Sequence, residues 1–149
     1  RAWDESRPPV ERIDGAADAC GGRIGAALEL MRDTAAAGMH ELAARYAGCL
    51  ARRDETGALL CLSGMRYDRE QYLVFCGALS DRLCAAAHTR AAGIPPERPE
   101  ERELSERIAT AHLLELTAVC RRHMDRQAQY AAVDISAAAM TAEIFAILS

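Results

Sequence analysis

Two pairs of residues have the spacing of metal ligands, Cys84-x3-His88 and Cys120-x2-His123. Steps of four and three residues place each pair on one helix face, and thiolate with imidazole is a zinc donor set. A structural zinc needs four converging ligands, so the two pairs would have to meet. If their helices form an antiparallel hairpin about Pro96, Cys84 lies about twelve residues from the turn and Cys120 about twenty-four, a mismatch of roughly 18 Å at 1.5 Å per residue. That geometry tells against a joint site, and no metal or cofactor is expected. The same arithmetic sets Cys76 level with Cys120, as neighbouring buried thiols in preference to a disulfide.

Other catalytic signatures are missing. Gly21-Gly22 followed by Gly25 lacks the Lys and Ser/Thr of a phosphate-binding loop, and reads as the opening turn of a helix. No serine occupies a nucleophile elbow, and neither HExxH nor paired CxxC occurs. His112 and His40 stand alone at core or boundary positions of helices. No catalytic residue is therefore assigned, and an enzyme of the thiol- or metal-dependent kind would have to work without a readable motif. The chain reads as non-enzymatic.

Six cysteines are spread through the helical segments, unlike the dense loop clusters of a disulfide scaffold. Reduced thiols favour an intracellular setting over a secreted one. All 18 basic residues are Arg, and neither Lys nor Asn occurs, the codon signature of a GC-rich genome such as those of some bacteria and DNA viruses. The net charge is −4 with Arg interspersed among Asp and Glu, so no basic stripe exists for nucleic acid to bind.

The elements that must position these residues are helical. The apolar fraction of 50% with 27% charged residues places the chain in the globular class, with alanine supplying much of the apolar count. Residues 1–12, with Arg7-Pro8-Pro9, read as an extended leader, and 13–149 as a single helical-bundle domain. Ile24, Ala27, Leu28 and Met31 mark one helix, closed by Gly38. Met39, Leu42, Ala43, Tyr46, Cys49 and Leu50 mark a second. A short helix over about 54–62 follows, stopped by Gly64, and a longer one runs from an Asp68 N-cap to Gly93. After the Pro95-Pro96 connector, a fifth helix spans about 100–123 with a wide apolar arc, and a sixth about 126–148. The expected fold is all-α, a compact bundle of five or six helices with a largely buried C-terminal pair and no sheet. Its alanine content, two interrupting acids and lack of aromatic belts argue against the last helix spanning a membrane.

Two stretches resemble known families. Glu106-Arg107-Ile108 through Cys120, then Asp125-Arg126-Gln127 and Ile135, loosely resembles the paired central helices of Bcl-2-like proteins. Leu59-Leu60, Asp68, Tyr72-Leu73, Cys76 and Ala78-Leu79-Ser80 look somewhat like the central helices of interleukin-10-type cytokines. Both rest on a generic amphipathic pattern, and the chain is assigned to neither. The expected function is a non-enzymatic module, such as a viral or bacterial regulator, that binds a partner protein or a second copy of itself through a groove or helical face. The alternative is a secreted, disulfide-bonded, cytokine-like ligand. The expected contact surface lies on the second helix and the short helix after it, at Tyr46, Leu50, Arg52, Arg53, Leu59 and Leu60, because Arg and Tyr are frequent binding anchors.

Overall fold

Steps of three and four between apolar residues recur along the chain, and these runs are helices in the computed structural model, which describes residues 24–63, 69–127 and 132–149. In chain order they are α1 (Ile24–Ala51), α2 (Glu55–Ser63), α3 (Arg69–Ala92), α4 (Pro99–Arg107), α5 (Thr110–Gln127) and α6 (Val133–Leu148). Among the described residues there is no strand, and the chain is an all-α bundle as expected. The expected leader at 1–12, Cys20, the Gly64 stop and the Asp68 cap lie outside the described residues.

The chain divides into two units, Arg1–Gly38 and Met39–Ser149. In the first, residues 24–38 are helical, and Arg32, Asp33 and Thr34 are exposed. The second holds the core and both candidate sites.

Two helix boundaries differ from expectation. Gly38 does not end a helix: α1 runs through it from Ile24 to Ala51. A glycine costs an interior helical position only about 1 kcal/mol against alanine. The preceding Ala35-Ala36-Ala37 run favours continuation, and Gly38 lacks the positive φ of a C-terminal cap. Conversely, the expected fifth helix is two helices. Ile108 turns extended at φ −122 and ψ 130 while its N–H still bonds the Leu104 carbonyl at 2.9 Å, and its side chain is fully buried. The break buries a β-branched residue, which loses side-chain freedom in a helix and favours extended backbone.

That break lets α4 lie along α3. Arg82 Nε donates to Glu100 Oε1 at 3.0 Å and its Nη1 to the Ala78 carbonyl at 3.0 Å. Near the other end of the contact Arg90 Nη1 donates to the Ser105 carbonyl at 2.7 Å. Gly93 closes α3 with φ 68, its N–H on the Thr89 carbonyl at 3.1 Å, the left-handed cap that glycine adopts without a Cβ penalty.

Within the second unit α3 packs against α4 and α5, α5 against α6, and α6 against α2. Tyr46, Tyr72, Phe75, Leu79, Leu116 and Met140 are among the largest fully buried side chains. In the C-terminal pair, α5 buries Leu113, Leu116, Cys120, His123 and Gln127 on one face, and α6 buries Ala137, Met140, Thr141 and Ile144. The apolar arc of α5 is narrower than expected, since Ala111 and Leu114 are exposed. No described helix is long and apolar enough to cross a membrane.

Candidate functional site

The sequence places its strongest charge-and-leucine cluster at the junction of α1 and α2, and the structure makes that junction a three-residue corner. The Arg53 N–H bonds the Leu50 carbonyl at 3.2 Å and the Asp54 N–H bonds the Cys49 carbonyl at 2.9 Å. This pair of bonds is the Schellman pattern, which calls for a left-handed residue between them. Arg53 takes that role at φ 60, a conformation uncommon for a residue with a side chain. Asp54 then caps α2: its Oδ1 accepts the Gly57 N–H at 2.8 Å and its carbonyl accepts the Ala58 N–H at 3.0 Å. One residue thus ends the C-terminal motif of α1 and begins α2.

Each arginine of the corner reaches another element. Arg53 Nη1 donates to the Leu148 carbonyl of α6 at 2.7 Å, satisfying an acceptor in the last turn of that helix. Arg52 lies 3.7 Å from Glu103 of α4, a solvent-exposed pair, and its Nη2 is 3.9 Å from Cys49 Sγ. Cys49 is buried and Cys61 of α2 half-buried. Burial pushes the Cys49 thiol up and the adjoining Cys61 adds to this, while the Arg52 guanidinium opposes both.

The inner face of α2 is Ala58 and Leu62, both buried. Its outer face carries Thr56, Leu59, Leu60 and Ser63, with Leu59 42% exposed and Leu60 66%. The expected contact surface therefore splits. Arg52, Arg53, Leu59 and Leu60 are exposed together at the corner, whereas Tyr46 and Leu50 are fully buried and present nothing to a partner in this state. Their spacing from Met39 onward is that of a core stripe. Tyr46 packs edge-on against Phe75 with ring centroids 5.4 Å apart, as aromatic pairs prefer.

The metal-spaced residues do not converge. Cys84 is half-buried and His88 exposed on α3, whereas Cys120 and His123 are buried on α5. Among the described residues no group of three His, Cys, Asp or Glu side chains could hold a metal ion. His123 instead meets Glu143 of α6, Nε2 to Oε1 at 3.1 Å, and the same carboxylate accepts from Arg122 at 3.0 Å and lies 3.5 Å from Arg126. One turn on, Gln127 Nε2 donates to Ser136 Oγ at 2.8 Å.

Cys76 and Cys120 are both buried in the core; Tyr72 Oη donates to Met140 Sδ at 3.8 Å and Cys76 Sγ lies 3.9 Å from the same sulfur. Both thiols are free. Burial pushes Cys76 up to about 12 and Cys120 further still, so both are neutral and poorly nucleophilic at physiological pH.

Sequence reasoning missed the role of Glu143. Nothing in the local sequence marks Glu143 as the acceptor for α5. No family model, curated protein or solved structure matches this chain.

Proposed function

We propose that this chain is a non-enzymatic interaction module that binds a partner protein through the outer face of α2 and the adjoining arginines of the α1–α2 corner. The observation that carries the reading is the exposure of Leu60, 66%, beside Leu59, 42%, on a nine-residue helix capped at its start by Asp54. Adjacent exposed leucines on a capped helix lose little conformational freedom on association, which lowers the cost of binding. Arg52 and Arg53 supply a cationic rim next to that apolar centre, the arrangement of a binding patch.

A photo-crosslinking residue at position 60 tests it, compared with the same residue at exposed Ala118 of α5. Position 60 is expected to give one discrete adduct, either a partner protein or a second copy of the chain. The double substitution Leu59→Asp with Arg52→Ala should remove that adduct while the melting temperature stays nearly unchanged. Equal crosslinking from both positions, or an adduct that survives the double substitution, would overturn the reading.

A further inference from the structure

The seam between α5 and α6 buries two acceptors to which the described residues offer no donor. His123 and Gln127 are both buried and stand four positions apart on α5, so they follow one another along one face of that helix. Each commits one side-chain nitrogen to α6: His123 Nε2 meets Glu143 Oε1 at 3.1 Å, and Gln127 Nε2 donates to Ser136 Oγ at 2.8 Å. A carboxylate only accepts, so Nε2 carries the proton of the neutral imidazole and Nδ1 keeps a lone pair. Nδ1 and Gln127 Oε1 are then both acceptors, and among the described residues neither has a hydrogen-bond partner. Turning the Gln127 amide over exchanges an unpaired acceptor for an unpaired donor and still leaves Nδ1 unserved, because the atom in that position reaches no partner. Other donors of the two helices are committed, Arg122 and Arg126 to Glu143 and Thr141 to the Ala137 carbonyl. A buried acceptor without a donor forfeits its hydration, which native proteins rarely tolerate.

We propose that His123 Nδ1 and Gln127 Oε1 form the binding site of one internal water molecule, which is a fixed part of the α5–α6 seam. Water brings two O–H donors, the number these two acceptors call for. Side chains at i and i+4 of a helix start about 5–6 Å apart, and a water making two hydrogen bonds of about 2.8 Å each spans that separation. A closed, polar setting with two partners is what retains an internal water. The occupant is neutral: Glu143 already faces the guanidinium groups of Arg122 and Arg126, so a buried cation would add charge that nothing here balances. Through this water His123 and Gln127 act together, one bound to Glu143 and the other to Ser136, two turns apart on α6. This inference does not depend on α2 binding a partner.

The test is solution NMR of the full chain labelled with nitrogen-15 and carbon-13, the probe being the solvent water itself. Long-range nitrogen–proton correlations within the His123 ring read its tautomer, and water-selective NOE and ROE spectra read protons that lie beside a long-lived water, with the ROE sign separating contact from chemical exchange. His123 is expected to be the Nε2–H tautomer, and its Hε1, on the carbon next to Nδ1, to show a direct water cross-peak of the sign given by a slowly exchanging, internal molecule. Ser136→Ala removes the hydroxyl that could relay magnetisation and should leave that cross-peak in place, whereas Gln127→Leu, which removes the second acceptor, should abolish it. The wild-type spectra decide the matter even where the leucine variant does not fold. The proposal is overturned if the wild-type His123 Hε1 shows no water cross-peak, if Nδ1 carries the proton, or if the cross-peak persists undiminished in Gln127→Leu.

Discussion

The Tyr46 hydroxyl lies 2.8 Å from Thr141 Oγ1, joining α1 to α6 through the centre of the second unit. Thr141 donates its own proton to the Ala137 carbonyl at 3.0 Å, which leaves the tyrosine as donor and the threonine oxygen as acceptor. Tyr46→Phe is therefore expected to remove one buried hydrogen bond and leave Thr141 still satisfied, costing about 1 kcal/mol. Tyr46→Ala also loses the packing on Phe75 and opens a cavity, and should cost about 3–5 kcal/mol. Urea denaturation of the two variants measures both, and a small loss for Tyr46→Ala would contradict the buried position.

Burial of acids in the same core predicts alkaline sensitivity. Cys76 is raised from 9.0 to about 12, and Tyr46 and Tyr72 are raised above their ordinary 10.0, desolvation being the main cause for each. Below pH 9 these groups are neutral both folded and unfolded, and they make stability no more dependent on pH. As pH rises through 9.0 and then 10.0, the unfolded chain loses these protons while the folded chain keeps them, so stability falls. Denaturation midpoints should hold through neutrality and drop steeply above that range; in a Tyr67→Phe/Tyr130→Phe background, which leaves Tyr46 and Tyr72, tyrosinate absorbance should appear only on unfolding. Tyrosinate titrating at its ordinary value in that folded double variant would refute the burial.

Arg53 combines a strained backbone with a useful side chain, and two substitutions separate them. Arg53→Gly relieves the left-handed strain but loses the bond to the Leu148 carbonyl, whereas Arg53→Ala loses the bond and keeps the strain. The glycine variant should exceed the alanine variant in stability by about 1 kcal/mol. Equal stabilities, read from thermal melts, would mean that position 53 relaxes out of the left-handed region.

Periodicity made the helices legible, because a run such as Met39, Leu42, Ala43, Tyr46 and Leu50 reports one buried face regardless of tertiary detail. Tyr46 and Leu50 belong to the core, yet their neighbours Arg52, Arg53, Leu59 and Leu60 are exposed, and only packing against α3 and α6 decides which apolar residues lie inside. Gly38 and Ile108 mislead in opposite directions: a glycine costs a helix interior only about 1 kcal/mol and the alanine run carries α1 through Gly38, whereas Ile108 is fully buried in the extended backbone that a branched side chain favours. Leu60 stays outside although its type predicts core, because the Asp54 cap fixes α2 with Ala58 and Leu62 inward.

Glu143 carries the last prediction. Its carboxylate meets three cationic or donor groups of α5, but they are unequal. Arg122 and Arg126 are 58% and 53% exposed, so each pair is screened and worth little, while His123 is 1% exposed. Among the described residues His123 Nδ1 has no hydrogen-bond partner, so Glu143 is the acceptor that satisfies this ring. Glu143→Ala should strand the remaining ring nitrogen and cost about 1–3 kcal/mol. Glu143→Gln keeps an oxygen acceptor for His123 Nε2 and should recover most of that loss, whereas Arg122→Ala should change stability by less than about 0.5 kcal/mol. If Arg122→Ala cost as much as Glu143→Ala, the surface ion pair and not the buried imidazole would be what joins α5 to α6.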